Sequence, residues 1–369
     1  MEHENIVIRR GTRSGLPIIV AVHSTALGQA IGGCRIAHYP HWRDGLTDAL
    51  RLSVAMSDKA ALAGLPNGGG KTVVALPPGH VLDPAERRDL LHDVGDVIAS
   101  LDGAYATGPD VGTGPDDMVT IAERTPYAFC RPVSAGGSGD SSVHTAAGVL
   151  AALRAVCAER FGSPELGGRS FAVLGLGRVG THVLRLLAQE KTAHEKAAQL
   201  RTAHEKTAKR KAILYAADVD ESRRVHAENA TWVTPQECLT ADVDVLIPSA
   251  LGGLLTPSTV PHLRCAAIAG PANNQLDEPA TADLLRDRGI LWAPDLVVSA
   301  GGIIHATAVE LHHETSEQAG ARVEAIAGTL TEILRTTGST PLEAARTKAQ
   351  AVREKARRET HRRRDQRAA

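Results

Sequence analysis

Aromatic side chains make up only 3 % of this 369-residue chain, so its cores must be filled by Ala, Val, Leu and Ile rather than by rings. Charge of one sign is lacking too. With 41 basic against 42 acidic residues, the balance argues against nucleic acid or an anionic membrane as the partner. Cysteine is scarce and odd in number. Cys34, Cys130, Cys157, Cys238 and Cys265 are spaced as neither a zinc site nor a disulfide framework, so a reducing cytoplasm is the simple reading and no metal is expected. No signal peptide is expected, because Glu2, Glu4, Arg9 and Arg10 interrupt any apolar run. The uncharged stretch 14–34 is broken by Pro17, His23 and several Gly and polar positions, which excludes a membrane span. A soluble chain long enough for two domains is expected.

What the chain does have is Lys59 and Lys71, with Gly68-Gly69-Gly70 just before the second lysine. The glycines are read as a turn that lets backbone, substrate and side chain approach closely. A partly desolvated ammonium beside a second cation loses its proton more readily than in water. Lys71 is therefore a candidate base, and Lys59 a candidate grip for an anion such as a carboxylate. A second signal lies downstream. The apolar run from Phe171 leads into Gly175-Leu-Gly177-Arg178-Val179-Gly180 and then into Val183, Leu184, Leu186 and Leu187. This is the strand–turn–helix context of a dinucleotide site: the first glycine for the turn, the second to admit the pyrophosphate, the third for helix packing. The helix N-terminus then offers free N–H groups to phosphate. Asp218 closes the next apolar run. A carboxylate there accepts from a ribose 2′-hydroxyl and repels a 2′-phosphate, which favours NAD over NADP; Arg223 and Arg224 soften that preference.

Asp218 follows Gly180 by 38 residues, against a usual spacing from the glycines of about 20. The excess is a charged segment at about 189–211 in which Thr-Ala-His-Glu-Lys occurs twice, at 192–196 and 202–206. It reads as an exposed helical extension. Its His194 and His204 fall about 15 Å apart on one helix, too far to share an ion.

The first 133 residues read as strands at about 4–9, 17–23, 33–37 and 71–76, helices near 46–62 and 84–101, and a loop over Tyr105–Gly114. Ala135–Gly139 is the expected hinge. From about 141 helix and strand alternate, with strands near 170–174, 212–217, 243–247, 265–269 and 290–293, the pattern of a parallel doubly wound sheet. The final fifty residues look helical and end in a basic run read as a solvated helix end. The expected architecture is α/β in two domains, 1–133 and a Rossmann domain over 134–329, with the helices of about 330–369 packing back on the first.

Taken together, these pieces resemble the amino-acid dehydrogenase family of glutamate, leucine, phenylalanine and valine dehydrogenases, closest to the last three, from about residue 25 to 340. The matching segments are Ile31-Gly32-Gly33-Cys34-Arg35, the stretch from Lys59 to Lys71, Thr107-Gly108-Pro109-Asp110, the stretch 137–149 around Thr145, the Gly175–Gly180 turn, Pro271-Ala-Asn273-Asn274 and Ala300-Gly-Gly302. The resemblance implies reversible oxidative deamination of an L-amino acid to a 2-oxo acid and ammonia with a nicotinamide. It implies that Lys59, with Gly32 and Gly33, grips the α-carboxylate, that Lys71 activates water, and that Asp110 shuttles protons to and from the amino group. It places Thr145, Asn273, Ala250 and the glycine turn at the cofactor, with Asn273 also touching substrate. The side-chain wall is implied to be Ile31, Gly108, Ile303 and Ala306. Glutamate enzymes carry a lysine and a serine where Ile31 and Ala306 stand, so an apolar substrate is expected, phenylalanine or another aromatic ahead of leucine or valine. Family precedent also implies a homo-oligomer built through the N-terminal domain. Ser299 departs from the family's asparagine. A catalytically silent nucleotide-binding homologue acting through a partner, or an unusual amino acid as substrate, stays open at this level.

Overall fold

The computed structural model describes residues 2–199 and 212–368, which divide into two compact units. The first comprises Met1–Ser141, Ala306–Ser316 and Arg346–Ala369. Its elements begin β1 (Asn5–Arg10), β2 (Pro17–Ser24), β3 (Ala30–His38), α1 (Trp42–Leu62), β4 (Gly68–Leu76), α2 (Pro84–Ala99), β5 (Tyr105–Pro109) and α3 (Pro115–Ala122). The sheet runs β1-β2-β4-β3-β5, with β3 parallel to both β4 and β5. Strand β2 shows why the sheet is central. Ile18, Val20 and Val22 join one core with the buried face of α2, while the alternate Ile19 and Ala21 join Ala49 of α1 in another. Period-2 alternation of apolar residues on both faces forces helices onto both faces.

The second unit, Ser142–His305 with Glu317–Ala345, holds α4 (Ser142–Phe161), β6 (Phe171–Leu174), α5 (Arg178–Gln199), β7 (Leu214–Ala217), β8 (Thr231–Trp232), α6 (Pro235–Leu239), β9 (Val245–Pro248), β10 (Ala267–Ile268), α7 (Thr281–Asp287), β11 (Leu291–Trp292) and α8 (Asp295–Val298). Helices α9 (Gly301–Glu310), α10 (Ser316–Glu324), α11 (Ile326–Leu334) and α12 (Pro341–Ala368) complete the chain. The sheet is parallel throughout in the order β11-β10-β9-β6-β7-β8, the doubly wound dinucleotide-binding order with its switch point between β6 and β9. No described helix is long and apolar enough to cross a membrane.

Three expectations shift. Tyr105–Pro109 is a strand rather than part of a loop. Its Gly-Pro end hides the strand pattern, and its place beside β3 supplies the hydrogen bonds. The division falls at 141/142 rather than 133/134. Buried Glu310 accepts from the N–H of Cys130 and from the N–H and hydroxyl of Ser138, which ties the glycine-rich stretch into the first unit. Only Arg346 onward of the C-terminal helices joins the first unit, through an Arg353–Asp58 ion pair at 3.0 Å. Residues up to Ala345 belong to the second, where Leu342 enters the core of the parallel sheet. The first copy of the repeat continues α5 as a mostly exposed helix; the second, with His204, lies outside the described residues.

Candidate active site and dinucleotide site

Lys71 lies on β4 with a side chain 5 % exposed, and its Nζ stands 2.8 Å from Asp110 Oδ2. Asp110 immediately follows β5, which the parallel register places across β3 from β4. Gly33 sits between them. A Cβ there would stand 2.7 Å from Asp110 Cβ and 3.1 Å from Lys71 Nζ, so glycine is what lets the ion pair close over β3. Burial pushes the Lys71 ammonium below the ordinary lysine range, Asp110 opposes that, and Arg35 adds to it. Burial also acts on Asp110, in the opposite sense, but Lys71 and Arg35 outweigh it and hold the carboxyl below the usual range. Asp110 is therefore an anion, and Lys71 gives up its proton more easily than a solvated lysine.

The cation that acts on Lys71 is thus Arg35, which the sequence reading quoted in a motif without assigning it a role. Its Nε donates to Asp110 Oδ2 at 2.8 Å and its Nη1 to Asp48 Oδ2 at 2.7 Å. The three glycines before Lys71 also differ from expectation. They form the start of β4 rather than a turn, and Cβ atoms on them would meet Ser24 O, Ser57 N and the Tyr105 ring. They permit tight packing beneath the lysine instead of opening space for a ligand.

Lys59 lies half-buried in the last turn of α1, and Ile31, Gly32 and Gly33 are wholly buried on β3. Gly108 is on β5 beside the Phe129 ring, and Ala306 is 1 % exposed on α9. Asn67, a further residue the sequence reading passed over, is buried just before β4. It donates to Gln29 O at 3.1 Å and pairs with His312 Nε2 at 2.8 Å, fixing the path from α1 into β4.

In the second unit β6 ends in the glycine turn. Gly175 has φ +106°, and a Cβ on it would stand 2.6 Å from Ala250 N; one on Gly180 would run into Gly175 O. Both positions are therefore closed to any larger residue. Arg178 and Val179 open α5, whose first N–H groups have no acceptor within the helix. Asp218 follows β7 with a side chain 11 % exposed. It accepts from Leu176 N at 2.6 Å and Asp220 N at 3.0 Å. Arg223 Nη1 donates to Leu176 O at 3.0 Å, beside the same turn. A short glycine turn, a helix N-terminus and an acidic residue at the next strand end fit a nicotinamide dinucleotide.

Thr145 lies half-buried in the first turn of α4, and Ile303 half-buried in the first turn of α9. Their neighbours His144 and His305 stack with ring centroids 3.3 Å apart, and burial, then His144, pushes the His305 imidazole down to about 4. Asn273 is exposed, with its Oδ1 3.3 Å from the Ser299 hydroxyl. That hydroxyl donates its single proton to Asp295 O at 2.6 Å. Ser299 thus stays beside Asn273 without the second amide that the family's asparagine would bring.

Residues 136–364 match the Glutamate/Leucine/Phenylalanine/Valine dehydrogenase family, and residues 4–127 match the Glu/Leu/Phe/Val dehydrogenase dimerisation domain. The chain is 37 % identical over 339 residues to a phenylalanine dehydrogenase of Lysinibacillus sphaericus, covering 90 % of this chain and 82 % of that one. It is 38 % identical over 311 residues to a valine dehydrogenase of Streptomyces albus, covering 84 % and 80 %. The solved structure of L-tryptophan dehydrogenase from Nostoc punctiforme superposes with a TM-score of 0.79 at 33 % identity, over 97 % of both chains.

Proposed function

The chain belongs to the Glu/Leu/Phe/Val dehydrogenase family, enzymes that oxidatively deaminate L-amino acids, and we propose that its own substrate is apolar or aromatic. The observation that carries the reading is the Lys71–Asp110 pair, 2.8 Å apart with Lys71 buried and Asp110 half-buried, closed over Gly33. Lys59, with the N–H groups of Gly32 and Gly33, holds the α-carboxylate. Asp110, held as an anion, takes a proton from the substrate ammonium and leaves a neutral amine. The nicotinamide, when bound, would supply the acceptor for the Cα hydride. Lys71 then removes a proton from the water that adds to the resulting imine carbon. Asp110 returns its proton to nitrogen, the C–N bond breaks as the hydroxyl proton passes to the departing ammonia, ammonium leaves the 2-oxo acid, and Lys71 releases its proton to solvent. Thr145 and Asn273 orient the nicotinamide end, and Gly175 to Gly180 with Ala250 receive the pyrophosphate end.

Ile31, Gly108, Ile303 and Ala306 carry no charge. Ile31 and Ala306 are 0 % and 1 % exposed, so a side-chain carboxylate against them has nothing to offset its desolvation. With purified protein and a panel of L-amino acids, phenylalanine is expected to be turned over ahead of leucine and valine. Glutamate should fall at least about 10³-fold lower in kcat/KM. Valine equal to or better than phenylalanine would sink the ranking, and glutamate turnover would sink the pocket assignment. Tryptophan belongs in the panel because of the Nostoc relative.

Asp218 supports NAD as the cofactor, since its carboxylate, fixed by two backbone N–H groups, repels a 2′-phosphate. Asp218→Ser is expected to raise kcat/KM for NADP by about tenfold or more, with Arg223 left to face the phosphate. An unchanged NAD-to-NADP ratio would remove Asp218 from this role. We assign the enzyme to the cytoplasm on its five free, buried cysteines and, by analogy with its relatives, to a homo-oligomer.

A further inference from the structure

We propose that Arg35, clamped by Asp48, is the positioning residue of the proton shuttle: it holds Asp110 by Oδ2, so that Oδ1 exchanges protons with the substrate nitrogen. The inference rests on the reading of Asp110 given above and adds the device that aims it. Asp110 Oδ2 receives both Lys71 Nζ and Arg35 Nε, each at 2.8 Å. Among the described residues, the hydrogen bonds and ion pairs of the carboxylate fall on Oδ2 alone. Two charge-assisted bonds on one oxygen fix both the position and the rotation of a carboxylate, and the other oxygen is left for a third partner.

The guanidinium is itself held from behind. Asp48, on α1, takes Arg35 Nη1 at 2.7 Å and the Tyr39 hydroxyl at 2.8 Å on Oδ2, and Arg51 Nη2 at 2.8 Å on Oδ1. Side-chain exposures of 20 % for Arg35 and 15 % for Asp48 set this network apart from a surface ion pair. A planar fork suits the task better than a point charge, because its Nε and Nη1 bonds fix the direction in which it grips Asp110. A tie between α1 and the sheet needs only the Arg35–Asp48 bond; the second bond, to the oxygen that Lys71 also holds, serves the reacting pair.

Around Asp110 the titratable and charged groups are Lys71 from β4, Arg35 and Cys34 from β3, and Tyr105 from β5. Burial pushes the Cys34 thiol up to about 12 and the Tyr105 phenol higher still, so both stay neutral in the working range. Arg35 pulls down the titration of both Asp110 and Lys71. Its loss therefore moves an acid limb of activity to higher pH whichever of the two groups that limb reports.

The test is amino-acid-dependent NADH formation across pH by wild type, Arg35→Gln, Arg35→Lys and Asp48→Asn, each checked for fold by its melting temperature. Arg35→Gln is expected to lower kcat by at least about tenfold, part of the roughly 10²–10⁴ a placed acid–base group supplies, with KM for the amino acid little changed. Its acid limb should rise by about one unit, as for a carboxylate or ammonium losing a neighbouring cation. Arg35→Lys keeps the charge and should restore the limb but not kcat. Asp48→Asn, which keeps Arg35 but loosens it, should lower kcat in the same direction and decides the matter if Arg35→Gln does not fold. A folded Arg35→Gln or Asp48→Asn with unaltered kcat and limb overturns the proposal, as does a lowered melting temperature with neither moving. Wild-type turnover that does not depend on Lys71 overturns the underlying reading as well, which separates the two failures.

Discussion

Lys71→Ala is expected to lower kcat by about 10³–10⁴-fold while leaving NAD affinity within about twofold of wild type, the signature of a group used in chemistry rather than in cofactor binding. The variant should fold, because the partner it abandons is not orphaned. Asp110 Oδ2 keeps its 2.8 Å bond to Arg35, so no uncompensated buried anion is left behind. The pH dependence of the wild type follows from the same geometry. Burial and Arg35 lower the Lys71 titration, with Asp110 opposing, and deamination needs the unprotonated amine. Activity should therefore rise with pH through a limb lying below the ordinary lysine value of about 10.4. Protonated Lys71 is inactive, so the loss comes on the acid side. Steady-state rates across pH, with cofactor binding followed by fluorescence, check both halves; a residual kcat above about a tenth of wild type would remove Lys71 from the chemistry.

Asp110→Asn should carry the second largest effect, a fall in kcat of about 10²–10⁴-fold, because the amide keeps the shape but cannot accept a proton. Unlike the lysine variant it also disturbs the resting protein. Lys71 Nζ, 5 % exposed, and Arg35 would face each other without an anion, which costs stability on the order of 3–5 kcal/mol for a broken buried pair. The melting temperature should fall, and the Lys71 titration should drop further. In the reductive direction the KM for ammonia should rise, since the anion that holds ammonium is gone. A normal melting temperature together with near-normal kcat would show that Asp110 is only a turn residue.

Much of this site was legible in the sequence because its parts are local. Lys59 and Lys71 are joined by one short segment, the glycine turn follows its strand directly, and an unbroken apolar run marks β2. Arg35 was legible only as a letter in a motif. Its partners Asp48 and Asp110 lie 13 and 75 residues away, and the parallel register of β3 with β4 and β5 is what brings Arg35 and Lys71 together on the Asp110 carboxylate. The same cause displaced the unit boundary: Glu310 reaches Ser138 across 172 residues, a contact no local pattern announces. The strand β5 is hidden for a different reason. Five residues ending in Gly-Pro carry no strand period, and it forms because β3 offers it a ladder. The glycines before Lys71 mislead in sequence, since a glycine required by Ser57 N and the Tyr105 ring looks like one required by a ligand.

The proposed reaction is the deamination of an apolar L-amino acid with NAD through Lys71 and Asp110. Its most direct test is the stoichiometry of NADH, ammonia and 2-oxo acid formed by purified protein from L-phenylalanine and NAD. Equal amounts of all three are expected from wild type, and none above background from Lys71→Ala at the same cofactor occupancy. NADH formed without ammonia, or no product from any apolar amino acid while NAD still binds, would contradict it.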